Sequence, residues 1–289
     1  NLAWCHPILF RRIKQAKANN PQLKITVIDP RQTDTGAIAD RHLAIRPGTD
    51  VALYNGLLTY LAEHGACDQN YINAHTQGFD ETLKLAQQST PDWAELADIC
   101  QLDVDEMLVF FAEFTAIDKT LTLFSQGVNQ SSSGTDKANA IINCHLATGR
   151  VGKAGASPFS VTGQPNAMGG REVGGLATML TAHMDFSDEN NQLVSEFWGS
   201  NNLAKHNGAK AIDMFDQLHS GKIKAIWIMA TNPAVSLPDS EKIQQALANC
   251  PLVVVSDCIA KSDTINYADV LLPAQGWGEK TGVVTNSER

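Results

Sequence analysis

At 289 residues the chain exceeds the usual size of a single hydrophobic core and implies one large or two medium α/β domains. Its 43% apolar and 18% charged residues are ordinary for a soluble globular protein. A net charge of −9 offers no basic face for nonspecific nucleic-acid or membrane-surface binding, and no run of about 18 apolar residues is present to cross a bilayer.

The opening Asn1-Leu-Ala-Trp-Cys-His-Pro7 has neither the basic segment nor the apolar core of a signal peptide, and reads as the tail of a strand–loop junction. Lys24-Ile-Thr-Val-Ile28 is a β-branched run ending in the turn Asp29-Pro30, a buried strand by pattern. Arg46-Pro-Gly-Thr-Asp50 opens a helix with Asp50 as N-cap, an apolar face of Leu53, Leu57, Leu58 and Leu61, and a stop at Gly65. Thr90-Pro91 predicts an N-cap with proline at the first helical position. Residues 104–117 form a strongly apolar helix, with Asp103, Asp105 and Glu106 at its N-terminal turn.

Residues 120–124 read as the next strand and 136–148 as a helix ended by Gly149. From Gly149 to Gly175 the chain is rich in glycine, carries Pro158 and Pro165, and has almost no period. A segment of this length without structure is a linker or a binding loop, here taken as the join between two domains. The second half repeats the logic: a helix over 211–219, a strand over 223–229 ending at Thr231-Asn232-Pro233, a helix over 240–249, and strands over 252–255 and 270–272. Strands separated by helices require parallel sheets with crossovers. The expected fold class is therefore α/β with two doubly wound, mostly parallel-sheet domains, residues 1–157 and 158–289. The chain opens without a first strand and closes at Asn286-Ser-Glu-Arg289 without a terminal element, so both ends read as cut from something longer.

Six cysteines (Cys5, Cys67, Cys100, Cys144, Cys250, Cys258) are scattered without a CxxC, which argues for reduced thiols rather than disulfides or a zinc or iron–sulfur site within the chain. His6, His75, His145 and His183 lack metal-ligand spacing, so no metal ligand is expected here. In doubly wound sheets ligands sit outside the carboxyl ends of the strands. Four junctions qualify: Asp29-Pro-Arg-Gln-Thr33, Ser125-Gln-Gly-Val-Asn-Gln130, Thr231-Asn-Pro233 and Ser256-Asp257. An acidic residue there can accept from ribose hydroxyls or the amide edge of guanine, and loop amides or helix N-termini can hold pyrophosphate. Each alone is equally a turn or a cap, whereas their repetition at successive strand ends favours a nucleotide ligand. No GxGxxG or P-loop is present, which disfavours ordinary dinucleotide and triphosphate sites. In the long loop, Arg171 offers a permanent charge and a planar donor fork suited to a planar oxyanion such as nitrate, and Gln164 adds a neutral donor. The alternative is that Arg171 pairs with Glu172 or caps a carbonyl.

Several segments, in order and spacing, carry a resemblance over nearly the whole chain. They are Asn1 to Pro7, Asp29-Pro-Arg31 with Ala39-Asp40, Pro47-Gly-Thr-Asp50, Gly127-Val-Asn-Gln130 and Thr162-Gly-Gln-Pro-Asn-Ala-Met-Gly-Gly-Arg-Glu-Val-Gly174. Thr231-Asn-Pro233, Ser256-Asp257, Ala268-Asp-Val-Leu-Leu-Pro273 and Glu279-Lys-Thr-Gly282 complete the set. Together they resemble the central part of the molybdopterin-dinucleotide oxidoreductases, and within them the assimilatory nitrate reductases. The resemblance implies one molybdenum held between two molybdopterin guanine dinucleotides. Asn1, Trp4, Asp29, Arg31, Gly48 and Asp50, with Thr33 and Thr49, would bind one guanine-nucleotide arm. Asn232, Ser256, Asp257 and Lys280 would bind the other, with Gln126 and Gln130 nearer the pterins. Gln164 and Arg171 would face the substrate.

The implied reaction is reduction of nitrate to nitrite by oxygen-atom transfer to molybdenum, with the protein supplying position and charge. In such enzymes the 4Fe–4S cysteines and the molybdenum-ligating cysteine precede the segment matched here, and a further domain follows it. The resemblance therefore implies a fragment that folds but binds no metal and has no activity by itself. It also implies a cytoplasmic protein served by an electron-donor protein or domain, without nucleic acid or membrane insertion. Two alternatives stand beside it. One is a formate dehydrogenase, although relatives of that type carry arginine where this chain has Thr162, and Asn-Asn-Val-Gln-Gly where it has Pro165-Asn-Ala-Met-Gly169. The other is a non-catalytic nucleotide-binding module of the same fold.

Overall fold

The computed structural model describes residues 1–164 and 166–285. The chain divides into two compact units, Asn1–Gln164 and Pro165–Arg289. Every ladder between named strands is parallel, as the alternation of strands and helices requires. Among the described residues no helix is long and apolar enough to cross a membrane. The expected lack of a closing element at Asn286–Arg289 lies outside the described residues.

The first unit opens on helices α1 (Leu2–Cys5) and α2 (Pro7–Asn19), where a strand tail was expected. Pro7 begins α2, where its missing N–H would have no helical partner in any case. Strands β1 (Thr26–Ile28) and β2 (Arg41–Leu43) pair in parallel with Val27 opposite His42, joined through a 3-10 turn at Asp34–Ile38. Helix α3 (Asp50–Glu63) buries Leu53, Leu57, Leu58 and Leu61, as their spacing predicts.

Its N-cap is Thr49 rather than Asp50. The Thr49 hydroxyl turns back to the Arg46 carbonyl at 2.8 Å. Asp50 becomes the first helical residue, where its charge is favoured by the helix dipole. Helices α4 (Gln69–His75) and α5 (Phe79–Ser89) follow, then α6 (Trp93–Cys100). The cap of α6 is Asp92, whose carboxylate accepts from the Glu95 amide at 2.8 Å. Thr90, expected in that role, is extended, as a residue before proline prefers, and ends α5 instead.

Helix α7 (Val104–Ala116) is capped by Asp103, and β3 (Leu121–Phe124), α8 (Gln126–Asn129) and α9 (Gly134–Ala147) follow. Strand β4 (Ser157–Ser160) lies within the segment expected to lack structure. It pairs in parallel with β3, Leu123 opposite Phe159. A sequence reading misses it because it holds Pro158 and its burial does not alternate, while the ladder to β3 supplies its hydrogen bonds. The core gathers Leu57, Leu96, Met107, Phe111 and Ile141 from α3, α6, α7 and α9, each fully buried. Truncating any of them to alanine should cost about 2–5 kcal/mol.

The second unit contains α10 (Ala167–Glu172), α11 (Asp188–Trp198), α12 (Ala211–His219), β5 (Ile226–Met229), α13 (Pro233–Ser236), α14 (Ser240–Ala248), β6 (Val253–Asp257) and β7 (Val270–Pro273). Its sheet order is β5–β6–β7, all parallel. One face, with Ile226, Ile228, Val253 and Val255, packs on Phe215 and Leu218 of α12 and on Ile243 and Leu247 of α14. Trp227 and Met229 alternate to the other face and are exposed.

The segment expected to lack structure also contains α10. Asn166 starts it at φ +59°, and Gly169 lies so close that an added Cβ would sit 2.1 Å from the Asn166 side-chain oxygen. Only glycine lets the turn close on that side chain.

Candidate functional site

Because β1 and β2 run parallel, the chain leaving each emerges at the same carboxyl edge. The Asp29–Thr33 loop follows β1, and the Arg46–Asp50 turn lies just beyond β2. Asp29 accepts from the Arg31 amide at 2.8 Å, while its own N–H donates to Leu43 of β2 at 3.2 Å. The amino terminus folds onto this loop. Thr35 Oγ1 donates to the Asn1 side-chain oxygen at 3.1 Å, and the Trp4 indole N–H donates to Asp34. Asn1, Trp4, Asp29, Arg31 and Thr33 are thus brought to one edge of the first unit.

At the next turn, Gly48 adopts φ +91°, and an added Cβ there would meet no atom within 4 Å. Asp50 Oδ2 is held at 2.8 Å by the ammonium of Lys137 on α9. Sequence reasoning missed Lys137, although its signal was present. Lys137, Ala140, Ile141 and Cys144 all fall on the buried stripe of α9, and a lysine in phase with an apolar stripe needs a partner.

The carboxyl ends of β3 and β4 carry the second cluster. The Val161 amide donates to Phe124 at 2.8 Å, continuing the ladder past the named strands. Gln126 Nε2 donates to Gln164 Oε1 at 3.1 Å, and the Thr162 hydroxyl donates to the same oxygen at 2.6 Å. Gln126 Oε1 accepts from Ser125. Both acceptor positions of Gln164 Oε1 are therefore occupied, and its amide nitrogen is left to address a ligand. Gln130 is exposed beyond α8. Asn129 donates to Ser160 at 3.0 Å, a second tie between the two loops.

In the second unit, Met229 and Ser256 pair across β5 and β6, and Ala230 donates to Ser256 at 3.1 Å, so the two strand ends meet. Ser256 Oγ accepts from the Trp227 indole at 2.9 Å. Asp257 accepts from the Ile259 amide at 3.3 Å. The side chain of Asn232 is used internally. It accepts from the Thr264 amide at 3.1 Å and hydroxyl at 2.6 Å, and donates to Asp263 at 3.2 Å. Lys280 is exposed, with no described bond tying it to the others. Arg171 is exposed on α10. Among the described residues it forms no ion pair, and Glu172 instead accepts from Thr285 at 3.1 Å.

The sequence model of the molybdopterin oxidoreductases matches residues 1–289. The chain belongs to this family. Among its relatives, a nitrate reductase of Shewanella frigidimarina is 57% identical over 290 residues, taking in 100% of this chain and 31% of its own length. A nitrate reductase of Klebsiella oxytoca is 50% identical over 291 residues, 100% of this chain and 33% of its own. The chain thus spans about a third of the curated relatives it matches. Acetylene hydratase from Pelobacter acetylenicus has a similar fold, with a TM-score of 0.69 at 19% identity over 93% of this chain and 39% of its own.

Three features of the first unit leave room and polar atoms for the organic part of a molybdopterin cofactor. Thr33 Oγ1 is shielded from water yet has no partner. The turn at Gly48 is open where a side chain would otherwise stand. Asp50 has a carboxylate oxygen, Oδ1, to which no described bond goes. A buried hydroxyl without a partner costs about 1–3 kcal/mol, which a ligand hydroxyl or phosphate oxygen would recover. In the second unit Asp257 offers a remaining carboxylate oxygen, whereas Asn232 can serve a ligand only by giving up an internal bond. Among the described residues no three His, Cys, Asp or Glu side chains gather to hold a metal ion. What these residues offer is contacts for the organic part of a cofactor.

Proposed function

We propose that this chain is the central part of a molybdenum-dependent nitrate reductase that reduces nitrate to nitrite, with its two halves, 1–157 and 158–289, each carrying one guanine-nucleotide arm of the cofactor. The observation that carries the reading is the hydrogen bond between Gln126 and Gln164, at the ends of β3 and β4. It presents a single amide donor at the edge where family members of this fold class bind ligands. Identity of 57% with a nitrate reductase over the full chain supports nitrate as substrate.

In this reading Asn1, Trp4, Asp29, Arg31, Thr33, Gly48, Thr49 and Asp50 hold one arm. Asn232, Ser256, Asp257 and Lys280 hold the other. Gln126 and Gln130 approach the pterins. Reduction of nitrate to nitrite and water takes two electrons and two protons. A molybdenum cofactor held by these residues would supply the two electrons and the acceptor for the oxygen atom. The chain's own share is binding and orientation. Arg171 neutralises the anion, and the amide of Gln164 donates to an oxygen of nitrate as charge builds on it. The 4Fe–4S centre belongs to the rest of a family-length protein, which is served by an electron-donor protein or domain and which we assign to the cytoplasm.

Thr162, in place of arginine before Gly163, and Pro165-Asn-Ala-Met-Gly169 in place of the formate-type sequence favour nitrate over formate. The test is a polypeptide of the family's full length, produced with molybdenum and assayed with a reduced viologen. Nitrate turnover is expected, and formate oxidation without nitrate turnover would overturn the assignment. In the same protein Asp257→Ala should lower retained guanine nucleotide on extended dialysis, by about tenfold or more in affinity.

A further inference from the structure

Lys137 is 5% exposed, and its ammonium lies 2.8 Å from Oδ2 of Asp50 at the first position of α3. Apolar contacts already join the two helices that carry this pair. Leu53 and Leu57 of α3 pack in the same core as Ile141 and Cys144 of α9, and the Cys144 thiol donates to the Tyr54 carbonyl at 3.3 Å. A methionine at position 137 would bury its stem equally well without the desolvation cost of an ammonium ion. Buried ion pairs rarely stabilise a fold more than an apolar replacement does. Packing therefore leaves this charge unexplained, and orientation of Asp50 accounts for it.

The N-cap of α3 is Thr49, so Asp50 at the first helical position is not committed to capping backbone amides, and its described polar partner is Lys137. Its Oδ2 is drawn to Lys137, with Oδ1 unspent beside the open turn at Gly48. A carboxylate has about four acceptor positions. One is taken by Lys137, which leaves Oδ1 and the second lone pair of Oδ2 for a pair of adjacent donors. The N1–H and the 2-amino group of guanine form such a pair.

We propose that Lys137 is a positioning residue that fixes the Asp50 carboxylate as a reader of the guanine amide edge. The inference rests on the nucleotide reading above and extends it to a residue that touches no ligand. Its distinguishing consequence is base selectivity. Inosine diphosphate lacks the 2-amino group and otherwise matches guanosine diphosphate, so the ratio of their affinities reports that single contact.

Calorimetric titration of the 289-residue chain with GDP, IDP and ADP tests it. Wild type should prefer GDP over IDP by about tenfold or more, the worth of a hydrogen bond to a charged acceptor. Asp50→Asn should abolish that preference. Lys137→Met should reduce it to about threefold or less while the variant still unfolds cooperatively, and Lys137→Arg should recover most of it. Lys137→Gln, which keeps a neutral donor, takes the place of the methionine variant should that one fail to fold. A structural role would lower the thermal midpoint and leave the GDP/IDP ratio of the folded protein unchanged, and that result overturns the inference alone. Failure of wild type to prefer GDP, or full preference retained in Asp50→Asn, would overturn the nucleotide reading of Asp50 and the inference with it.

Discussion

Gln126 donates from its side-chain amide to the side-chain oxygen of Gln164 at 3.1 Å, so each glutamine sets the orientation of the other. An added Cβ at Gly163, next to Gln164 in the chain, would stand 3.1 Å from Gln126 Nε2 and press on that amide. In a family-length enzyme, Gln126→Ala should therefore reduce nitrate kcat/KM even if Gln126 never touches nitrate. The losses in Gln126→Ala and Gln164→Ala should fall short of adding in the double variant by about 1 kcal/mol. Strict additivity would mean that the bond has no part in presenting Gln164.

A pH dependence of stability follows from His145. The ring is fully buried, with Nε2 at 2.7 Å from the Thr122 hydroxyl, and burial together with the nearby Arg150 charge lowers its pKa to about 4. An unfolded histidine titrates near 6.5. Between these two values the unfolded chain binds a proton that the folded chain refuses, so stability falls as pH drops through this window. The contribution is fully present above about pH 6.5 and is lost by about pH 4, at most roughly 3 kcal/mol. Urea unfolding of wild type and His145→Gln across this range should give a flatter profile for the variant. Parallel profiles would mean that His145 takes up its proton alike in the folded and unfolded chain.

Asn232, proposed above to contact the cofactor, also ties the end of β5 to the loop after β6 through Thr264 and Asp263. Thr264 is itself fully buried, and its hydroxyl accepts from the Ala234 amide at 3.2 Å. Asn232→Ala should thus destabilise the second unit by about 2–3 kcal/mol through the unpaired Thr264 groups. Denaturant unfolding of the chain would register this without any cofactor. A change below about 0.5 kcal/mol would show that water replaces the asparagine readily.

How far the sequence could be read depended on how locally each signal is encoded. Helices α3, α7 and α12 were legible because their apolar stripes run for whole turns between a cap and a stop. Helix α5 carries Phe79, Leu83 and Ala86 on one stripe amid polar residues, a weaker signal that passed unseen. Strand β4 is defined by its partner β3, and helix α10 is a short turn within a glycine-rich stretch that carries no apolar stripe. The site was legible as a set of strand ends, since Asp29, Asn232, Ser256 and Asp257 mark carboxyl edges in any parallel sheet. Hidden from the sequence was which of their atoms are already spent. Lys137 takes Asp50 Oδ2 and Thr264 takes Asn232 Oδ1 across spans of chain that no local pattern encodes.

Substrate charge gives the last prediction. Nitrate is an anion, and the chain carries a net charge of −9, so binding requires a local cation. Arg171 is the only lysine or arginine between Lys153 and Lys205. On α10 it is exposed, and among the described residues it forms no ion pair. In the family-length enzyme, Arg171→Ala should lower nitrate kcat/KM by about tenfold or more, as loss of a charge-assisted hydrogen bond costs roughly 1.5–3 kcal/mol. Arg171→Lys restores the charge without the planar fork and should recover only part of the loss. Rising salt should narrow the gap between wild type and alanine variant if the arginine acts partly by attracting the anion through solvent. Wild-type kinetics in a fully loaded alanine variant would remove Arg171 from the substrate's path and leave Gln164 as the chain's donor to nitrate.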